Sequence, residues 1–225
     1  MKAEIKRNPV TLFLLALTSL IFILMQLMYL GQAASVQAVL TFGGLYGEII
    51  KAYPDQIWRL LTPIFVHIGW EHFIFNALSL YFIGRIAEQI WGSVRFLLLY
   101  ILAGIAGNIF VFFFEPAVVE AGASTSLFGL FAAVAVIGYF GGSPFLRQLG
   151  RSYVMLIVFN LIFNLITPGI SLSGHLGGLV GGALSAVFLP TLYEKNTFSK
   201  FQRLSAFLVY LLLMTLMLFS AFSVF

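Results

Sequence analysis

The chain has 225 residues, of which 61% are hydrophobic and only 9% charged, with a mean hydropathy of +1.03. That balance excludes a soluble globular domain and marks a polytopic membrane protein. The absence of cysteine removes disulfide and thiolate chemistry, three histidines in all argue against a metal centre, no cofactor is expected, and a formal charge of +4 gives no support to nucleic-acid binding.

Seven apolar stretches are long enough to cross a bilayer as helices of about 20 residues. They cover residues 10–30, 71–91, 94–114, 123–141, 152–168, 173–191 and 204–224. Helices are required because backbone polar groups in lipid must be satisfied internally, and the continuous Leu, Ile and Phe runs lack the alternation of a β-barrel. The first stretch follows Lys2, Lys6 and Arg7 and has Gln32-Ala33-Ala34 beyond it, but its run of about 21 apolar residues is too long for a secretory signal.

Basic residues favour the cytoplasmic side. With the N-terminus inside, Lys2, Lys6, Arg7, Arg85, Arg95, Arg147, Arg151, Lys195, Lys200 and Arg203 are cytoplasmic, leaving only Lys51 and Arg59 outside, and the C-terminus is outside. The one long connection, residues 31–69, then lies on the outer side. A loop of that length carries structure or function of its own, and Trp58, Trp70, Gly43, Gly44 and Gly47 suit an element lying in the membrane interface.

This topology runs the second, fourth and sixth spans from outside to inside, so their polar starts share one depth: His72 and Asn76, Ser124 within Gly122-Ala123-Ser124, and His175 after Gly174. A serine hydroxyl needs a base within hydrogen-bond reach to act as a nucleophile, and Ser124 with His175 is the candidate pair. His72 and Asn76, spaced i to i+4, share one helix face where both can donate to the oxyanion of a tetrahedral intermediate; the Ser124 N–H, at a helix start, is a further donor. No carboxylate at this depth offers an obvious third member, so a two-residue dyad fits better than a triad.

These residues carry a resemblance. Trp58-Arg59 in the long loop, His72-Phe73-Ile74-Phe75-Asn76, Gly122-Ala123-Ser124 and His175-Leu176-Gly177-Gly178 running on to Gly182 resemble, in order and spacing over roughly residues 10–191, a rhomboid intramembrane serine protease of bacterial type. The resemblance implies an all-α, six-helix bundle plus one extra C-terminal transmembrane helix: a protease core over 1–192, then a cytoplasmic linker and seventh helix over 193–225. It implies a bacterial plasma-membrane endopeptidase, its site opening to the outer face. Single-span or membrane-anchored proteins would be cleaved in or beside their transmembrane segments through an acyl-enzyme. Ser124 would be nucleophile, His175 general base, His72 and Asn76 oxyanion-stabilising, and Trp58, Arg59, Gly122, Gly178 and Gly182 supporting. Thr125 stands where the family commonly has glycine, and a β-branched residue there is expected to tighten the backbone beside the oxyanion donors.

Plainer readings compete. Small residues pack membrane helices, so Gly178 and Gly182 form a stripe expected to bring the sixth span against the fourth. Ser126 is a rival nucleophile, but about 200° of helix rotation separates it from Ser124. His67 is assigned to hydrogen bonding within the outer loop, Asn160 and Asn164 to packing or water contacts, Arg59 to organising the loop, and Glu88 to a nearby base such as Arg85. Two other functions share the composition. A non-catalytic rhomboid-like chaperone or dislocation factor typically lacks the nucleophile or base, and a small transporter favours inverted repeats with broken helices. Hydrolysis in a membrane also needs water, which predicts a polar cavity beside Ser124.

Overall fold

In the computed structural model, which describes residues 7–167 and 169–223, each expected span is one helix, and local chemistry explains most of the starts and stops. Lys2 and Lys6, used in the orientation argument, lie outside the described residues, as do Pro168 and Val224 at the ends of the fifth and seventh spans. Helix α1 (Pro9–Met28) opens on a proline whose missing N–H is no loss in a first turn. After the long connection comes α4 (Gly69–Trp91), followed directly by α5 (Ser93–Phe114); Gly92 alone reverses the chain at φ +77°. Helix α6 is Ser124–Phe140. Helix α7 (Pro144–Ile166) starts eight residues before the expected fifth span, because Ser143 caps the Leu146 N–H and Pro144 takes the first position. The two turns this adds carry Arg147, Gln148 and Arg151, which a reading by apolarity leaves out. Helix α8 (Leu172–Phe188) is capped by Ser171, which accepts from Gly174 N. Helix α9 (Lys200–Ser223) follows a reciprocal cap in which Ser199 Oγ accepts from Gln202 N while Ser199 N donates to Gln202 Oε1.

The long connection has structure of its own. It holds α2 (Val36–Thr41), β1 (Leu45–Tyr46), α3 (Gly47–Ala52) and two 3₁₀ turns at Pro54–Leu60 and Thr62–Phe65. Strand β1 pairs antiparallel with β2 (Val119–Glu120), Leu45 opposite Glu120, which fastens the loop to the segment entering α6. Arg59 Nη1 donates to the carbonyls of Leu40 and Gly44, both at 2.9 Å, while Thr62 Oγ1 donates to Gly43 O.

Helices α1, α5, α7 and α9 are each long and apolar enough to cross a membrane, while α6 and α8 are apolar helices of 17 residues. Seventeen residues rise about 25 Å, short of a hydrocarbon core about 30 Å thick. These two central helices are shielded by their neighbours, so their polar starts need not reach the surface.

Glycine sets how close the centre packs. A Cβ on Gly178 would collide with the carbonyl of Thr125, and one on Gly182 with the backbone of Gly129, so α8 lies backbone to backbone on α6. The other side of α8 is bare as well: a Cβ on Gly177 would meet Phe110 Cβ at 2.7 Å and one on Gly181 would meet Ala106, both on α5. Helix α9 covers the outside of this pair, with Tyr210, Met214, Met217 and Ala221 in one cluster with Ala106, Ile109 and Phe112.

Glu88 pairs with a helix terminus in place of the expected Arg85. Its Oε2 accepts from Thr11 N (2.8 Å) and Thr11 Oγ1 (2.7 Å), and its Oε1 from Val10 N (3.0 Å) and Ser93 Oγ (2.6 Å). A carboxylate at the first N–H groups of α1 satisfies orphan donors and meets the positive end of the helix dipole. Arg85 instead donates to Tyr81 Oη at 2.8 Å. Because Glu88 is 2% exposed, Glu88→Ala strands these donors and is expected to cost about 3 kcal/mol or more, read as a lower unfolding midpoint in detergent. Gly178→Val is expected to destabilise by about 1–3 kcal/mol through overpacking, whereas Gly142→Val, where a Cβ meets nothing within 4 Å, leaves the same midpoint unchanged.

Candidate active site

The turn before α6 is held from three directions. Gly122 has φ +131°, a conformation that favours glycine, and its N–H donates to Pro63 O at 2.9 Å. Ala123 N donates to His67 Nε2 at 3.5 Å. Burial, with His72 nearby, lowers the His67 pKa to about 3, so the ring is neutral and keeps the lone pair that this contact needs. His67 thus bonds from the long connection to the serine turn, beyond the loop within which it was expected to bond. Ser124 is the first residue of α6, and its N–H has no acceptor within the helix by position.

His72 and Asn76 both face this turn. A Cβ on Gly122 would lie 2.8 Å from His72 Nε2 and 3.6 Å from Asn76 Nδ2, a second reason for glycine there. His72 Nδ1 accepts from Ile68 N at 3.5 Å, which places the proton of a neutral ring on Nε2 and makes that nitrogen a donor toward the turn. Asn76 Nδ2 spends one N–H on His72 O at 2.9 Å and keeps the other.

His175 is in the first turn of α8 and 7% exposed. Its ring stacks on Phe128, centroids 3.9 Å apart and planes 9° from parallel. Phe128 is four residues after Ser124, so the imidazole lies on the α6 face that bears the serine, about one turn along. The half-buried Ser124 Oγ has no hydrogen bond among the described residues, to His175 or otherwise; contacts of this kind are often long before substrate binds. Ser126, by contrast, is buried and donates to Tyr100 O at 2.8 Å on the opposite side of α6.

Asn164, expected to make packing or water contacts, instead meets His175, and Glu115 had no role assigned from sequence. Asn164 of α7 hydrogen-bonds His175 Nδ1, while Asn160 turns back to Leu156 O. Glu115 Oε2 accepts from Ser171 Oγ (2.7 Å) and Ser173 Oγ (2.8 Å), bracing the start of α8 from the end of α5. Glu120, in β2, has its carboxyl pushed up to about 8 by burial and then by the Glu115 charge. The signal for Asn164 was present as a polar residue near the end of the fifth span, but no motif pointed to it. Thr125 is accommodated without displacing α6. A Cβ on Gly107 would meet Thr125 Cβ at 2.6 Å, and one on Gly174 would meet Thr125 Cγ2 at 3.3 Å, so the extra methyl fills space those glycines leave.

The remaining expected residues are peripheral. Trp58 is 41% exposed with the Arg59 guanidinium 4.5 Å over its ring, and burial lowers the Arg59 pKa. Two cavities lie away from these residues. One cavity of about 640 Å³ lies among Phe140, Gly142 and residues 192–197, and another of about 460 Å³ lies by Tyr139, Arg147 and Arg151. Both are at the far end of α6 from Ser124.

Residues 54–192 match the family model of the Rhomboid domain. The chain is 36% identical over 179 residues to rhomboid protease GluP of Bacillus subtilis (strain 168), covering 80% of this chain and 34% of that one. It is 33% identical over 181 residues to the putative rhomboid protease YdcA of the same organism, covering 80% and 88%. A shorter match, 35% over 79 residues, is to the inactive RHOMBOID-like protein 8 of Arabidopsis thaliana, covering 35% and 22%. The chain thus spans about a third of the first relative and most of the second. With the helical bundle and the apolar spans described above, this match makes the chain an integral membrane protein that belongs to the rhomboid family.

Proposed function

We propose that the chain is an intramembrane serine endopeptidase acting through a Ser124–His175 dyad on single-span or membrane-anchored proteins. The observation that carries this reading is the meeting of three helix starts. Ser124 opens α6, His175 stacks one turn along the same face, and His72 with Asn76 closes on Gly122. In the reaction His175 Nε2 takes the Ser124 proton as Oγ attacks the scissile carbonyl carbon. The oxyanion accepts from Ser124 N–H, His72 Nε2–H and Asn76 Nδ2–H, and collapse expels the amine with the proton from His175. Water, activated by the same imidazole, then releases the acyl group and restores the hydroxyl.

Access is proposed to come through α7, whose buried residues are Gly150 and Asn164 alone. A helix packed on the core mainly through half-buried side chains such as Tyr153, Ile157 and Leu161 is the wall most easily displaced by an incoming transmembrane segment, and its displacement admits water to the site. The domain limits keep residues 1–192 as the catalytic core with α9 as an addition. The site is proposed to open on the outer face of a bacterial plasma membrane, with the N-terminus cytoplasmic. The unbonded Ser124 hydroxyl also fits a non-catalytic rhomboid-like protein, and covalent labelling by a mechanism-based serine reagent separates the two.

In liposomes, cleavage of a panel of single-span substrates is expected to fall by at least about 10³-fold in both Ser124→Ala and His175→Ala at unchanged unfolding midpoint. Unchanged cleavage by Ser124→Ala sinks the assignment. The lack of cysteine makes orientation simple to read. In intact cells Asp55→Cys is expected to react with a membrane-impermeant maleimide, and Gln148→Cys only after permeabilisation.

A further inference from the structure

Near its C-terminal end α7 turns Phe163 and Leu165 outward and one polar side chain inward. Phe163 and Leu165 are 48% and 70% exposed, while Asn164 between them is 9% exposed and its amide, with Nδ2 at the near position, hydrogen-bonds His175 Nδ1. A buried amide in a membrane is costly unless it is bonded, and here its bond is to the ring of the proposed base.

The chemistry of that ring fixes which amide atom has to face it. For Nε2 to accept the Ser124 proton it must carry a lone pair, so a neutral His175 must hold its proton on Nδ1. Once Nε2 is protonated, Nδ1 still carries N–H, and an amide N–H opposite it would set donor against donor. Only the amide oxygen serves both states. Turning the Asn164 amide by 180° exchanges Oδ1 and Nδ2 at the same positions, an exchange to which the heavy-atom positions are indifferent. The opposite choice, Nδ2 donating to Nδ1, would leave the proton on Nε2 and make the ring unable to accept from the serine.

We propose that Asn164 is a positioning residue for His175: its amide oxygen accepts the Nδ1–H, selects the reactive tautomer and stabilises the imidazolium formed when Ser124 is deprotonated. The unit is then Ser124–His175–Asn164, with a neutral amide where a carboxylate is absent. The proposal rests on the reading of Ser124 and His175 as nucleophile and base. It also ties that base to α7, so the helix proposed to admit substrate must be back against α8 for the ring to be oriented. The other ionisable groups near His175 are placed elsewhere: His72 beside Gly122, and Glu115 on the hydroxyls of Ser171 and Ser173.

The test compares wild type, Asn164→Ala and Asn164→Asp for cleavage of a single-span substrate in liposomes, with Ser124→Ala and His175→Ala as controls. A base contributes about 10²–10⁴-fold in all, so loss of its orienting partner is expected to lower kcat by about 10- to 100-fold with KM within a factor of about two. Asn164→Asp, which keeps an acceptor at the same reach, is expected to recover most of that loss. Asn164→Ala at wild-type kcat overturns the proposal, as does a folded Asn164→Asp no better than Asn164→Ala. If the two controls cleave like wild type, it is the dyad that fails. Should the Asn164 variants not fold, the wild-type protein decides. With only three histidines in the chain, ¹⁵N resonances of labelled imidazoles can be assigned by replacing His67 and His72. A neutral His175 protonated on Nδ1 is expected, and one protonated on Nε2 overturns the proposal.

Discussion

The arrangement depends on the backbone contact between α6 and α8. Between membrane helices there is no hydrophobic drive of the kind that acts in water, so association rests on close van der Waals packing and polar contacts. Gly178 and Gly182 remove the side chains that would separate the two helices. Gly177 and Gly181 do the same against α5, which seats α8 deep between two neighbours and fixes its depth and rotation. That rotation carries His175 onto Phe128, and the relation of imidazole to serine follows from it.

A second constraint decides which polar residues remain free. In a low-dielectric interior an unpaired polar group is costly, and several buried polar side chains here are spent on backbone carbonyls. Asn108 donates to Leu60 O, Ser126 to Tyr100 O and Tyr210 to Leu102 O, so polar atoms on α5, α6 and α9 act as fasteners between elements. Arg59 and Thr62 do the same inside the long connection. The half-buried Ser124 hydroxyl is bonded to nothing among the described residues, as are the buried hydroxyls of Thr18, Thr125 and Ser185; what separates it from them is its place at a helix start beside Gly122, which His72 and Asn76 approach.

Much of this was legible in the chain. Hydropathy marks seven spans because lipid forces whole helices, and all seven are found, with ends moved by caps such as Ser143-Pro144 that apolarity does not see. The i to i+4 spacing of His72 and Asn76 puts both on the face toward Gly122, and the glycine stripe of α8 foretold its contact with α6. Contacts between residues far apart in sequence were not legible. Glu88 reaches the start of α1, 77 residues away, where the nearest base in sequence had looked the natural partner. The two-residue β1–β2 pairing has no periodicity to detect. Asn160 and Asn164 look alike in sequence, and only the packing of α7 on α6 and α8 separates the one that turns back on its own helix from the one that reaches His175.

Thr125 shows how a departure from a family pattern is absorbed. Alone, a β-branched residue next to Ser124 would crowd α8 or tighten the turn. Its methyl occupies the space left by the missing side chains of Gly107 and Gly174, and α6 stays helical from Ser124 onward. Its carbonyl is the atom that Gly178 approaches, so the volume added at 125 points away from the contact that sets the depth of α8. The burden of the threonine therefore falls on α5 and on the first turn of α8, while the turn that holds the Ser124 N–H keeps its restraints from Pro63 and His67. The Thr125 side chain is thus part of the packing between α5, α6 and the first turn of α8.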